Sequence, residues 1–460
     1  MKEYDVIIKG GEVFTAGDRF VADIGIKDGK VAAIACGLEN GEKIIDAAGK
    51  WVFPGAIDIH THLDAPLHGS HTPDDWYQGT YTAAFGGVTC VVDYPNQIVG
   101  ESLHDTFQRI IDNAEDKAVI DYSASPVITD RTEEVYKELP GLIADGFPTY
   151  KVFMAYDFRV NDSELVRLLD VIGSAGGILG VHCENDLAIQ YMTNKMIEEG
   201  KTEPKYHPLS RPPVTEEEAT GRVIRTASMV GAPVLIVHVS AKGALKEISE
   251  AKNRGEAVYA ETCPHFLLLD EEVYDQPIEE AAKYVVTPPI RNEEHREALW
   301  EAMKAGTISL VSSDHCAFSI KEKLRLGTGA FNKIPHGAPG IETRVPLLFS
   351  EGVMKGRITP NKFVEVVSTN PAKIAGLFPE KGTIAVGSDA DILIMDKDKE
   401  HVISVDTLHG VCDFTPFEGY KTQGWIDTVL SRGRVVIADD ELKAEPGIGT
   451  LVKRKPFKAF

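Results

Sequence analysis

An α/β chain is predicted: a parallel (β/α)8 barrel of the TIM type, joined to a small β-sandwich built from both termini. Three observations predict it. Eight apolar, β-rich runs recur through the middle, at 57–63, 88–94, 119–124, 149–154, 178–183, 233–239, 257–262 and 308–314, with helix-like stretches between most of them. That alternation is the pattern of parallel strands joined by helices. Both ends of the chain have a different texture, short alternating runs broken by glycine turns. Finally, 460 residues exceed one ordinary domain, and 43% hydrophobic residues suffice for a substantial core.

Taken in order, the N-terminal strands are expected at 4–9, 22–27, 30–34 and 43–46, punctuated by Gly10, Gly11, Gly29 and Gly49. The texture returns at 382–387, 390–395 and 428–437. Chain termini of one unit often lie close together, so the expectation is a β-sandwich from 1–53 and 376–460 around a barrel at 54–375. Helices are expected at 102–115, 132–144, 162–174, 216–230, 241–253 and 293–305, where apolar residues recur at helical spacing.

The formal net charge of −22 argues against nucleic acid or an anionic membrane as partner. No apolar run has the length to cross a bilayer, and the opening residues carry early acids, unlike a secretory signal. A cytoplasmic location is the expectation. Cys36, Cys90, Cys183, Cys263, Cys316 and Cys412 are scattered without a CxxC pair, which points to reduced thiols rather than disulfides.

Chemistry concentrates at the ends of the middle runs. In the first, alternation places Asp58, His60 and His62 on one face, with the histidines roughly 6–7 Å apart at Cα. Imidazoles so spaced can converge on one cation, about 2.0–2.1 Å from each nitrogen. The fourth run carries Lys151, the fifth ends in His182, the sixth holds His238 near its end, and the eighth closes on Asp314. In a parallel barrel these carboxyl ends share one rim, where barrel enzymes keep their active sites. Each residue also has a plain reading. His182 and His238 suit satisfied core histidines, Asp314 suits a helix N-cap, and Lys151 suits an ion pair with a barrel acid. An unpaired buried ammonium costs several kcal/mol, so the lysine is paired, neutral, or converted by carbon dioxide to a carbamate. In the last case two cations share the set, His60, His62 and Asp314 on one side and His182 and His238 on the other, with Lys151 between. Such a pair acidifies a bridging water and polarises a carbonyl, and Asp314 carries the proton from nucleophile to leaving nitrogen.

The chain resembles the amidohydrolase superfamily, and within it the dihydropyrimidinase/hydantoinase family, over essentially its whole length. The resemblance rests on FPGAIDIHTHLD at 53–64, AAFGGVT at 83–89, YKVFM at 150–154 and VHCEN at 181–185. It continues in HVS at 238–240, ETCPH at 261–265, SDHC at 313–316 and GSDAD at 387–391. It implies a binuclear zinc site, with two Zn2+ held by His60, His62, His182, His238 and Asp314 and bridged by N6-carboxylated Lys151. It further implies Asp314 as base, Tyr156 as hydrogen-bond donor to the developing oxyanion, and Tyr156, Thr287 and His336 in substrate binding. The implied activity is hydrolysis of a hydantoin or 5,6-dihydropyrimidine ring to an N-carbamoyl amino acid by a metal-bridging hydroxide, in a homotetramer. Two departures stand out, since the family has Ser where this chain has Thr287 and Asn where it has His336. Rival readings are an allantoinase- or dihydroorotase-like cyclic ureide hydrolase, a one-metal deaminase, and a non-catalytic scaffold. His68 and His71 read as solvated loop residues, and Cys183, Cys263 and Cys316 as packing. Asp58 reads either as a partner orienting a histidine or as part of a barrel ion pair. The basic tail 451–457 reads as a solvated terminus or an arm to a neighbour.

Overall fold

A computed structural model of the chain describes residues 2–67 and 69–460. The eight expected barrel strands are present, as Ala56–Thr61, Val88–Asp93, Asp121–Ala124, Thr149–Phe153, Ile178–His182, Val234–Ile236, Val258–Thr262 and Leu310–Val311. Every pair of neighbours is parallel. Bridges between Val127 and Lys151 and between Thr61 and His315 close the ring. Helices surround it as expected, with others outside the expected ranges, Trp76–Phe85 and Asp186–Glu198 being the longest of them.

Nine strands from both termini form one further sheet. Tyr4–Phe14 is its branching strand, antiparallel to Arg19–Lys27 on one side. On the other it runs parallel first to Gly41–Asp46 and then to Trp51–Pro54. The pairing slips at Gly10, whose φ of 69° suits glycine. Ile392–Val402 joins antiparallel to Trp51–Pro54, which brings the C-terminal strands into the N-terminal sheet. Val6, Ile8, Ile24, Ile26, Val52, Ile392, Ile394 and Leu430 are buried together between its parts. Two expectations are corrected here. The segment 382–387 forms no strand, because Gly382 and Gly387 turn the chain at φ 85° and 96°. The run 428–437 is a hairpin, Lys421–Ser431 and Arg434–Ala438, turned by Arg432 and Gly433 at φ 45° and 72°.

The tail is neither a solvated terminus nor extended away from its own chain. Arg454 is buried and hydrogen-bonds Thr149 Oγ1 and the Ala124 carbonyl, inside the barrel wall. The backbone of Phe460 both donates to and accepts from Tyr259 Oη, at 3.0 and 3.3 Å. Val452 and Phe457 pack on the apolar cluster of Ile57, Ile59, Val92, Leu235 and Leu310, so the tail stoppers the end of the barrel below the site.

The opening strand is less regular than strict alternation expects. Its pairing with Val88–Asp93 shifts register between Asp58 and Thr61, a bulge of the kind that re-aims side chains beside active sites. Asp58 takes the ion-pair reading, and it meets His60 through the backbone rather than the ring. Its Oδ2 pairs with Arg344 Nε at 3.2 Å, both side chains being fully buried. Its Oδ1 accepts from the backbone N–H of His60 and of Ser313, 3.2 Å each, which ties the first strand to the eighth. Arg344 also donates to the carbonyls of Val311 and Ile57. Arg344→Met strips the guanidinium from a buried carboxylate, and a loss of about 3–5 kcal/mol is expected in chemical denaturation. A loss under about 1 kcal/mol would show that the pair is not what ties these strands.

Candidate metal centre

At the rim, the carboxyl ends of the strands bring the six predicted side chains into one buried cluster. His60 is oriented by Glu261, whose Oε1 accepts from Nδ1 at 2.6 Å. That leaves His60 Nε2 facing inward, 2.6 Å from Lys151 Nζ and 3.1 Å from Asp314 Oδ1. His62 Nε2 lies 3.7 Å from the same oxygen. His182 is held by Glu184, which accepts from its Nε2 at 2.8 Å, so Nδ1 turns inward. It meets His238 Nε2 at 2.9 Å. His238 and Asp314 have φ of 40° and 49°, strained for non-glycine residues and found where side chains must be aimed. Asp314 caps no helix, since the next one, Ile320–Leu326, is capped by Ser319.

The electrostatics fit a cation. Burial, with Lys151 and its neighbours adding to it, holds His62, His182 and His238 below the usual imidazole range and hence neutral, the form that ligates. His60 goes the other way, because Glu261 and Asp314 outweigh its burial. Asp314 is raised by burial but lowered more by His60, His238 and Lys151, and ends well below the carboxylate range. Among the described residues no carboxylate oxygen comes within 4.0 Å of Lys151 Nζ, so the ion-pair reading of this lysine fails. Burial pulls its amine down to about 8. The rings of Tyr94 and Phe153 are its nearest cation–π neighbours, at 4.5 and 4.7 Å. The Nδ1 atoms of His62 and His238 are buried without a hydrogen-bond partner among the described residues. Nitrogens crowded against one another around a carboxylate are a donor set arranged for divalent metal.

Beside this cluster opens a cavity of about 700 Å³. His62, Lys151, His182, His238 and Asp314 form part of its lining, with Tyr156, Thr287, His336, Arg211 and Cys316. Tyr156 has φ 71°, donates its backbone N–H to Asp186 at 3.0 Å and lies under the Arg211 guanidinium, 5.8 Å from the ring centre. Burial pushes its hydroxyl up to about 12, which keeps the proton in place for donation. The loop carrying His336 is held close to the eighth strand by Gly337 at φ 146°. A Cβ at Gly337 would sit 2.3 Å from the Cys316 carbonyl. Cys183 and Cys263 are buried thiols, and Cys316 is a buried thiol at the cavity wall. His71 is an exposed residue 3.6 Å from Asp64, away from the cluster. His68 lies outside the described residues.

Three residues that position the site were not singled out from sequence. Glu184 and Glu261 orient the rings of His182 and His60, and Arg211 donates to Glu184 at 2.6 Å while lining the cavity. Glu184 had a signal, two residues after His182 at a strand end. Arg211 had none, lying 27 residues from its partner. Arg159 and Arg291 pair with Asp186 at 3.1 Å and with Glu216 at 3.5 Å.

A closed parallel barrel with converging imidazoles, a buried lysine and a carboxylate at its rim defines a metal-dependent hydrolase. Comparison with known proteins makes this specific. Residues 51–436 match the amidohydrolase family. The D-hydantoinase of Geobacillus stearothermophilus is 47% identical over 458 residues, 99% of this chain and 97% of that protein. A crystal structure of a D-hydantoinase superposes with a TM-score of 0.96 at 46% identity, covering 98% of this chain and 99% of the other. The dihydropyrimidinase from Brevibacillus agri gives 0.96 at 43% identity, with 98% and 99% covered. The chain belongs to the amidohydrolase family, whose members carry a divalent metal centre. No helix among the described residues is long and apolar enough to cross a membrane.

Proposed function

We propose that the chain hydrolyses the ring amide of a hydantoin or 5,6-dihydropyrimidine to an N-carbamoyl amino acid, using two Zn2+ and a carboxylated Lys151. The observation that carries this reading is Lys151, buried without a carboxylate partner and wedged against His60 Nε2. Carbamate formation would replace that buried ammonium by an anion suited to lie between two cations. His60 and His62 through Nε2, His182 through Nδ1, His238 through Nε2 and Asp314 would complete the donor set. The two ions, when bound, supply an acidified water and polarise the substrate carbonyl.

The chain's own groups do the rest. Tyr156 Oη donates a hydrogen bond to the carbonyl oxygen as it gains charge. Asp314 is ionised, so it accepts the proton of the attacking water and delivers it to the ring nitrogen as the C–N bond breaks. Glu261 and Glu184 hold His60 and His182 in the tautomers this requires. Residues that line the cavity, Leu67, Phe158, Ile189 and Phe331 among them, offer apolar surface to a ring substituent. Full-length likeness to D-hydantoinases supports the D enantiomer of 5-monosubstituted hydantoins as the preferred form. The same reading takes 54–375 as the hydrolase unit and 1–53 with 376–460 as the β-domain, supported by the shared terminal sheet. It takes the protein as a cytoplasmic homotetramer, by resemblance, with six free cysteines suiting a reducing compartment.

A turnover panel of D- and L-5-substituted hydantoins, dihydrouracil, dihydroorotate and allantoin tests the substrate class. Activity on the first groups is expected, and activity on dihydroorotate or allantoin alone would overturn it. Arg211, which lines the cavity together with Lys333, is committed to Glu184 at 2.6 Å and so is a poor partner for a substrate carboxylate. Tyr156→Phe is expected to lower kcat about 10²-fold, the cost of one oxyanion donor; unchanged kcat would remove that role from Tyr156.

A further inference from the structure

Asp314, the proposed base, sits at φ 49° between Ser313 and His315. A non-glycine residue keeps that conformation only where its surroundings over-determine it. On the near side, Ser313 donates its backbone N–H to Asp58 and its hydroxyl to the His60 carbonyl, at 3.2 and 3.3 Å. On the far side the tie is His315, which is buried. Its carbonyl accepts from the His62 N–H at 2.9 Å, and its own N–H returns to Ser313 Oγ at 3.1 Å. The ring is held at both nitrogens. Nδ1 accepts from the backbone N–H of Gly340 at 3.1 Å, with that of Ile341 at 3.4 Å. A backbone amide can only donate, so Nδ1 carries no proton and Nε2 carries one. Nε2 donates it to Asp74 Oδ2 at 3.1 Å.

Asp74 is a firm partner. It is buried, its carbonyl accepts from the Asp64 N–H at 2.8 Å, and it stands one residue before Asp75, the N-cap of the helix Trp76–Phe85. The imidazole therefore spans two fixed points, the start of that helix and the Gly340 end of the loop carrying His336. Resting on the role proposed above for Asp314, the geometry points to the Asp74–His315 pair as the device that aims the base. Braced between Asp74 and Gly340, the ring fixes the backbone on the C-terminal side of Asp314 and so the direction of its carboxylate. Neither Asp74 nor His315 is among the described residues that line the cavity, so both are positioning residues. Asp74 acts as an acceptor, so an asparagine oxygen should serve in its place.

Variants of the metal-loaded enzyme test this. His315→Ala is expected to lower kcat about 10²-fold with KM within about threefold, the cost of a base displaced by about 1 Å. Asp74→Leu is expected to lower kcat about 10-fold, and Asp74→Asn to stay within about twofold of the parent. In an Asp314→Asn background, His315→Ala should have no further effect on kcat, because the group it aims is gone. Zinc content and melting temperature, measured on every variant, establish that each is folded and loaded. His315→Ala with parental kcat overturns the proposal. So do losses that multiply in the cycle, and a defect confined to KM, which would mean that His315 only holds the loop of His336. If His315→Ala does not fold, the Asp74 variants decide, and equal kcat for Asp74→Leu and Asp74→Asn overturns the proposal. Full turnover by Asp314→Asn alone would instead strike the reading beneath it, so the two failures are distinguishable.

Discussion

Lys151→Ala should lower turnover of a 5-substituted hydantoin at least about 10³-fold, and bound zinc should fall from about two ions per chain to one or fewer. The reason lies in the balance of charge. His60, His62, His182 and His238 bring no negative charge, and Asp314 alone brings one among the proposed ligands. Without an anion at 151, two divalent ions close together repel with little to offset them. Lys151 is otherwise a poor choice of buried residue, with aromatic faces rather than a carboxylate for company. Acetate or propionate added to Lys151→Ala should restore part of the metal and part of the rate, because the missing group is a carboxylate. An alanine variant with normal turnover and full metal would refute the bridging role, and would leave a one-metal or lysine-independent site.

Asp314→Asn is the second large effect. Asparagine keeps an oxygen where Asp314 Oδ1 sits, 3.1 Å from His60 Nε2, but cannot take up a proton from an attacking water. Turnover should fall about 10³-fold or more. Metal content should fall much less than in Lys151→Ala. That contrast separates proton transfer from ligation. Substantial residual activity in metal-loaded Asp314→Asn would assign the proton to another group.

Much of this site was legible in one dimension. His60, His62, Lys151, His182, His238 and Asp314 announced themselves because each stands at or near the end of a β-rich run. A parallel barrel gathers such ends by construction. The departures at Thr287 and His336 were equally visible as residue types, though nothing in the linear order paired them. The bulge beside His60 was invisible, because alternation of apolar and polar residues reports average faces and not a slip of one residue. The hairpin at 428–437 had a signal in Gly433, but a single glycine between two apolar runs marks a bulge as readily as a turn.

The tail shows the limit most plainly. Arg454 reads as one more charge in a basic terminus, yet it is buried against Thr149 and Ala124, some 300 residues earlier in the chain. By itself the sequence determined the barrel, its terminal sheet and the roster of candidate metal-binding side chains. Those follow from local periodicity and from chemistry carried by each residue type. Only the tertiary structure decided which nitrogen of each histidine faces the centre, which acids orient them, and which hydroxyls meet His336. Those choices depend on desolvation and on partners such as Glu261, 201 residues from His60. A buried polar atom must satisfy itself with whatever the fold places within about 3 Å, and that neighbour is a property of the packed chain.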